Sequence, residues 1–116
     1  MNKNFKISII TVTKNSEKFL VENINSLKNQ SYKNFEHIII DGKSTDKTLE
    51  IIKKHEDKID YWVSESDNGL YDAMNKGIKV STGDIIGILN SDDIYFSDTL
   101  KLVNRYFSEQ ENLDFL

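Results

Sequence analysis

The sequence predicts an α/β domain, a mostly parallel sheet with helices on both faces, and three observations predict it. Four short apolar runs rich in β-branched residues, at positions 5–12, 35–40, 59–64 and 85–89, have strand length. Between them, and after the last, apolar residues recur at helical spacing. The residues just past each run, 13–16, 41–44, 65–69 and 90–93, are polar or small. Strands alternating with helices imply parallel pairing, because each right-handed crossover needs a covering helix. In such sheets ligands bind beyond the carboxyl ends of the strands, so those four polar ends are expected to converge on one site.

The first run, Phe-Lys-Ile-Ser-Ile-Ile-Thr-Val, is nearly continuous in apolar character, which suits a strand covered on both faces. Leu20, Ile24 and Leu27 then predict a helix over 17–29, with Glu17, Lys18, Glu22 and Lys28 on its wet side. A second strand ends at Asp41-Gly42, and Ser44, Thr45 and Asp46 offer capping oxygens for a helix carrying Leu49 and Ile52. The third strand precedes the turn signal Ser66-Asp67-Asn68-Gly69. Tyr71, Met74 and Ile78 mark one face of the next helix, which ends at Ser81-Thr82-Gly83. The fourth strand is expected to be buried, and Ser97 to cap a last helix whose stripe is Leu100, Val103 and Phe107. Leu113-Asp114-Phe115-Leu116 reads as the start of another strand.

Composition narrows the function. At 116 residues, 38% hydrophobic and 29% charged, the chain is one globular domain's worth. A net charge of −4, with Arg105 as the single arginine, argues against a phosphate-tracking nucleic-acid surface. There is no cysteine, which excludes disulfides and thiolate metal sites. No apolar run approaches the roughly 18 residues of a membrane span, and 1–4 lead directly into a strand-like segment, so a cytoplasmic location is expected.

The fourth strand ends in Asn90-Ser91-Asp92-Asp93. Paired carboxylates at a strand end suit a hard cation such as Mg²⁺ or Mn²⁺, which takes one or two protein carboxylates together with substrate phosphates. The competing reading is that Ser91, Asp92 and Asp93 only start a loop or cap a helix. Asp41, after the second strand, suits hydrogen bonding to a base or ribose. Lys76 and the start of the helix after Asn68-Gly69 would add positive potential. His37, inside a strand, and His55, at a helix end, read as structural or solvated. Neither Gly-x-Gly-x-x-Gly nor Gly-x-x-x-x-Gly-Lys-[Ser/Thr] occurs, which removes the main support for dinucleotide and P-loop folds.

Taken together, Ser8-Ile9-Ile10-Thr11-Val12-Thr13-Lys14-Asn15, Ile40-Asp41-Gly42-Lys43-Ser44-Thr45-Asp46, Asp67-Asn68-Gly69-Leu70-Tyr71-Asp72-Ala73-Met74-Asn75-Lys76-Gly77 and Gly83-Asp84 followed by Leu89-Asn90-Ser91-Asp92-Asp93 resemble the family 2 glycosyltransferases. The resemblance covers essentially the whole chain. It implies the Rossmann-like nucleotide-binding half of a GT-A fold and transfer of a sugar from a nucleotide-diphosphate donor, most often UDP-linked, with Mn²⁺ or Mg²⁺.

By position, the resemblance implies that Thr13 and its neighbours Thr11, Val12 and Asn15 line the base pocket and that Asp41 contacts the base. Ser44, Asn75, Lys76 and Ser91 complete the nucleotide set, and Asp92 with Asp93 beside it holds the metal. Three positions depart from the family pattern. Asn90 begins what is usually Asp-x-Asp, Lys14 stands where an aromatic is common, and Met74 stands where many members have an arginine near the diphosphate.

Family members are generally about twice as long, with the acceptor site and general base in their second half. Residues 1–116 are therefore expected to be a single domain, the donor-binding part of a longer transferase, with no catalytic base of their own. The resemblance implies a sugar or lipid-linked acceptor, polysaccharide biosynthesis and a place at the inner face of the membrane through peripheral association. The alternative is an inactive nucleotide-binding or partner-binding module, prone to homo-oligomerise through an exposed sheet edge.

Overall fold

The structure is a computed structural model that describes residues 3–113. Four strands, β1 (Ile7–Thr13), β2 (Phe35–Asp41), β3 (Tyr61–Ser64) and β4 (Ile85–Ile88), form one sheet in the order β3-β2-β1-β4, with every neighbouring pair parallel. The connections run through α1 (Leu20–Lys28), α2 (Thr48–Lys54) with a single 3₁₀ turn at Glu56–Lys58, and α3 (Leu70–Val80); α4 (Thr99–Leu113) follows β4.

Alternation along the central strands sorts the core. Ile7 and Ile9 of β1 join Leu27 of α1 and Leu100 of α4, while Ile39 of β2 joins Leu20, Ile24 and Ile52 of α1 and α2. The intervening residues Ile10, Ile38 and Ile40 pack on Ala73 of α3. The expected parallel sheet with helices on both faces is therefore present, with α3, among the described residues, on its second face.

Several local expectations shift. β1 runs from Ile7, because its register with β2 begins at Ile7 opposite Phe35 and ends at Thr13 opposite Asp41. The helix expected over 17–29 starts at Leu20, after a turn in which Phe19 and Leu20 both donate to the Ser16 carbonyl. The N-cap of α2 is Lys47, which makes no side-chain cap bond; Asp46 before it accepts the Thr48 N–H at 2.9 Å, and Ser44 and Thr45 bond elsewhere.

The apolar face assigned to α3 is rotated. Tyr71 and Ile78 are exposed, and Ala73 and Gly77 meet the sheet, because a close helix approach leaves room only for small residues. β4 is an edge strand rather than a buried one; among the described residues it pairs only with β1, and Ile86 and Ile88 stay partly exposed.

α4 begins at Thr99, two residues past Ser97, and Phe107 is exposed. Its inner positions include Asn104 and Ser108, which accept the backbone N–H groups of Phe5 and Lys3 at 2.9 Å each. Leu113 belongs to α4, and the remainder of the strand expected at 113–116 lies outside the described residues.

Candidate functional site

The four strand ends converge as parallel topology requires. They enclose a cleft of about 600 Å³ lined by Val12, Thr13, Lys14 and Ser16 after β1, Gly42 and Lys43 after β2, Ser66, Asp67, Gly69 and Leu70 after β3, and Ser91 after β4.

Its rim is stitched loop to loop. The Asn15 side-chain oxygen accepts the Thr45 N–H at 2.8 Å, and the Asn15 N–H donates to the Ser44 hydroxyl at 2.8 Å. The Ser16 N–H donates to Thr48 at 2.7 Å, and the Ser16 and Ser91 hydroxyls are 2.9 Å apart, joining the β1 and β4 ends. The Lys14 ammonium donates to the Gly42 carbonyl at 2.6 Å. Asn15 and Lys43 hold positive φ values of 52° and 60°, a conformation that Asn accepts more readily than Lys. At Gly42, a Cβ would lie 2.8 Å from an Asp67 carboxylate oxygen, so glycine is what lets Asp67 close on the floor.

Beneath the floor, Asp41 is wholly buried. Its Oδ1 accepts the Thr13 and Ser44 hydroxyls at 2.6 Å each, and its Oδ2 accepts the Ser64 hydroxyl at 2.7 Å and the Ser44 N–H at 2.9 Å. Burial raises its pKa, but these donors together outweigh burial and hold it below the ordinary carboxylate value. Thr11, also buried, bonds the Nε2 of His37 at 2.9 Å. Burial pushes the His37 pKa down to about 3, so its ring is neutral, and its Nδ1 has no partner.

The nucleotide set implied at the sequence level divides accordingly. Val12, Thr13 and Ser91 line the cleft; Thr11 and Asp41 lie under it; Asn15 and Ser44 tie its rim. Asn75 and Lys76 sit on α3 outside the lining. The Lys76 ammonium is occupied by Glu65 at 3.1 Å, Asp72 at 3.7 Å and the Ser66 carbonyl at 3.0 Å. Its positive charge is thus matched locally rather than aimed into the cleft. Lys43, Ser66, Asp67 and Leu70 line the cleft without any motif that picks them individually. The signal that finds Lys43, Ser66 and Asp67 is their place just past β2 and β3, whereas Leu70 opens α3.

Asp92 and Asp93 stand exposed on the turn after β4. Asp93 receives the Asn90 side-chain N–H at 3.4 Å and closes the turn with its own N–H to the Asn90 carbonyl at 3.0 Å. Among the described residues no group of three or more His, Cys, Asp or Glu side chains is disposed to hold a metal. Two open carboxylates fit Mg²⁺ or Mn²⁺ only where phosphate and water complete the oxygen shell. Nor is any helix among the described residues long and apolar enough to cross a membrane.

Comparison with known proteins bears on the family and the fold. The model of Glycosyl transferase family 2 matches residues 8–114. An uncharacterised glycosyltransferase of Mycobacterium tuberculosis is 40% identical over 75% of this chain and 34% of its own length. The poly(ribitol-phosphate) β-N-acetylglucosaminyltransferase TarS of Staphylococcus aureus is 33% identical over 92% of this chain and 20% of its own. The chain thus spans from a fifth to about a third of these relatives.

Residues 1–349 of TarS in complex with UDP-GlcNAc superpose with a TM-score of 0.83 at 32% identity, over 90% of this chain and 31% of that one. A mannosyltransferase of Pyrobaculum calidifontis in complex with GDP-Man and Mn²⁺ shares the fold, at a TM-score of 0.77 and 20% identity over 93% of this chain and 34% of that one.

Proposed function

Because this chain belongs to glycosyl transferase family 2, we propose that it is the donor-binding part of a transferase that takes a UDP-linked sugar with Mn²⁺ or Mg²⁺. The observation that carries this reading is the cleft at the convergence of the four strand ends, where doubly wound sheets take nucleotides. Val12 and Thr13 are its base-side wall, and Ser91 leads to the acidic turn at its diphosphate end. Asp92 with Asp93 would hold the cation, which would supply charge neutralisation for a departing diphosphate. Lys14, with its stem beside Gly42, takes the place of an aromatic platform at the base. Asp41 serves as the anchor that sets Thr13 and Ser44.

The likeness to TarS, whose complex holds UDP-GlcNAc, favours UDP over other nucleotides, and polysaccharide biosynthesis is the setting that the family resemblance implies. Cytoplasmic action, with peripheral association at the inner membrane face, belongs to the same reading, as does a sugar or lipid-linked acceptor. No catalytic base is assigned among the described residues.

The test is calorimetric titration of UDP into the folded chain with Mn²⁺, with EDTA, and in Asp92→Ala. The expected outcome is saturable binding that weakens about tenfold or more without the metal or without Asp92. Binding of GDP, CDP or dTDP in preference to UDP would overturn the choice of base, and equal binding with Mn²⁺ and EDTA would overturn the metal. A second reading, a module that binds a partner or a second copy through the β4 edge, is favoured by exposed Ile86 and Ile88. Light scattering that finds a monomer at high concentration removes self-association.

A further inference from the structure

Residues 89–98, which carry the acidic turn from β4 to α4, contain no helix or strand. Their backbone polar groups must therefore find partners outside a regular ladder. Many find them on one polar stripe of α1 and its exit, at positions 23, 26 and 30, whose spacing places them on one helix face. The Asn23 side-chain N–H₂ donates to the Asn90 carbonyl at 2.9 Å and to the Asp93 carbonyl at 3.1 Å. Ser26 accepts the Tyr95 N–H at 3.2 Å. Gln30 donates to the Phe96 carbonyl at 2.6 Å and accepts the Leu100 N–H at 3.0 Å.

Asn23 is fully buried, and its Oδ1 has no hydrogen-bond partner. A buried orphan oxygen costs free energy that a leucine of similar size would not incur. What leucine lacks is the pair of donors that brackets the turn: Asn23 touches the carbonyl of its first residue and of its last. The two carboxylates lie between and at the end of those anchors.

We propose that Asn23 is a positioning residue of the donor site, whose carboxamide sets the Asn90–Asp93 turn and through it the orientation of Asp92 and Asp93. The functional half of this inference rests on the metal–diphosphate reading given above; the structural half does not. Asn23 touches neither nucleotide nor metal and acts through the turn.

The experiment compares wild type with Asn23→Leu, Asn23→Ala and a control on another face of α1, Asn25→Ala, whose side chain accepts the Lys58 ammonium. Amide hydrogen exchange is read across 85–98, and UDP is titrated with Mn²⁺ and with EDTA. In both Asn23 variants the Asp93 amide is expected to exchange about tenfold faster while β1 and β2 keep wild-type protection. The gain in UDP affinity due to Mn²⁺ is expected to fall about tenfold, with affinity in EDTA unchanged. Asn25→Ala is expected to match wild type in both.

Wild-type exchange across 90–93 in both Asn23 variants would overturn the proposal, as would an equal loss of UDP affinity in Mn²⁺ and EDTA. If wild type shows no metal-dependent UDP binding, the donor reading fails, and the exchange data alone decide whether Asn23 sets the turn.

Discussion

Thr13 and Asp41 stand opposite each other at the end of the β1–β2 register, and the Thr13 hydroxyl donates to the Asp41 carboxylate at 2.6 Å. Ser44 and Ser64 bring the other donors, so one carboxylate ties together the ends of β1, β2 and β3.

Asp41→Asn keeps the size and replaces one acceptor oxygen by an NH₂ that confronts two of those donors. With charge-assisted bonds contributing roughly 1.5–3 kcal/mol, the variant is expected to lose about 2–3 kcal/mol of stability in urea unfolding. A midpoint within error of wild type would show that Asp41 is not the anchor. Because its folded pKa is depressed below 3.8, the contribution is present above that value and is lost as pH falls through the folded pKa.

His37 moves in the same direction with pH, but earlier. Its folded pKa, about 3, lies below the ordinary 6.5, so between these values the unfolded chain binds a proton that the folded chain refuses. Stability is therefore full above about pH 6.5 and falls as pH drops toward 3, at up to about 1.4 kcal/mol per unit. Glu36, Asp41 and Asp46, with depressed pKa values, add losses only below about pH 4.5. Urea titrations from pH 7 to pH 5 are expected to show the slope in wild type and a flatter profile in His37→Gln.

Gly77 separates helix propensity from packing. In an exposed helix Gly→Ala would stabilise by about 1 kcal/mol. Here the added Cβ would lie 2.6 Å from Cγ2 of Ile10, which is fully buried and has nowhere to move. Gly77→Ala is expected to destabilise by about 1–3 kcal/mol, so a stabilised variant would refute the close contact of α3 with β1.

What the sequence determined by itself is the alternation of strand and helix, hence the parallel pairing, the helices on both faces and the edge at which the polar strand ends converge. It also carried the family, because Ile40-Asp41-Gly42-Lys43-Ser44 and Asn90-Ser91-Asp92-Asp93 are local strings that no packing alters. The tertiary structure decided which polar residues face the cleft and which are consumed in holding it. Asp41, at a strand end, and Lys76, on the helix after Asn68-Gly69, are both expected from the sequence to serve the nucleotide, yet Asp41 is buried under four donors and Lys76 is matched by Glu65 and Asp72. The same holds for α3, whose sheet-facing side is Ala73 and Gly77 rather than its larger apolar residues. The physical reason is common to these cases. Periodicity along the chain reports which elements form, whereas a side chain's partner is set by distances between segments that are far apart in sequence.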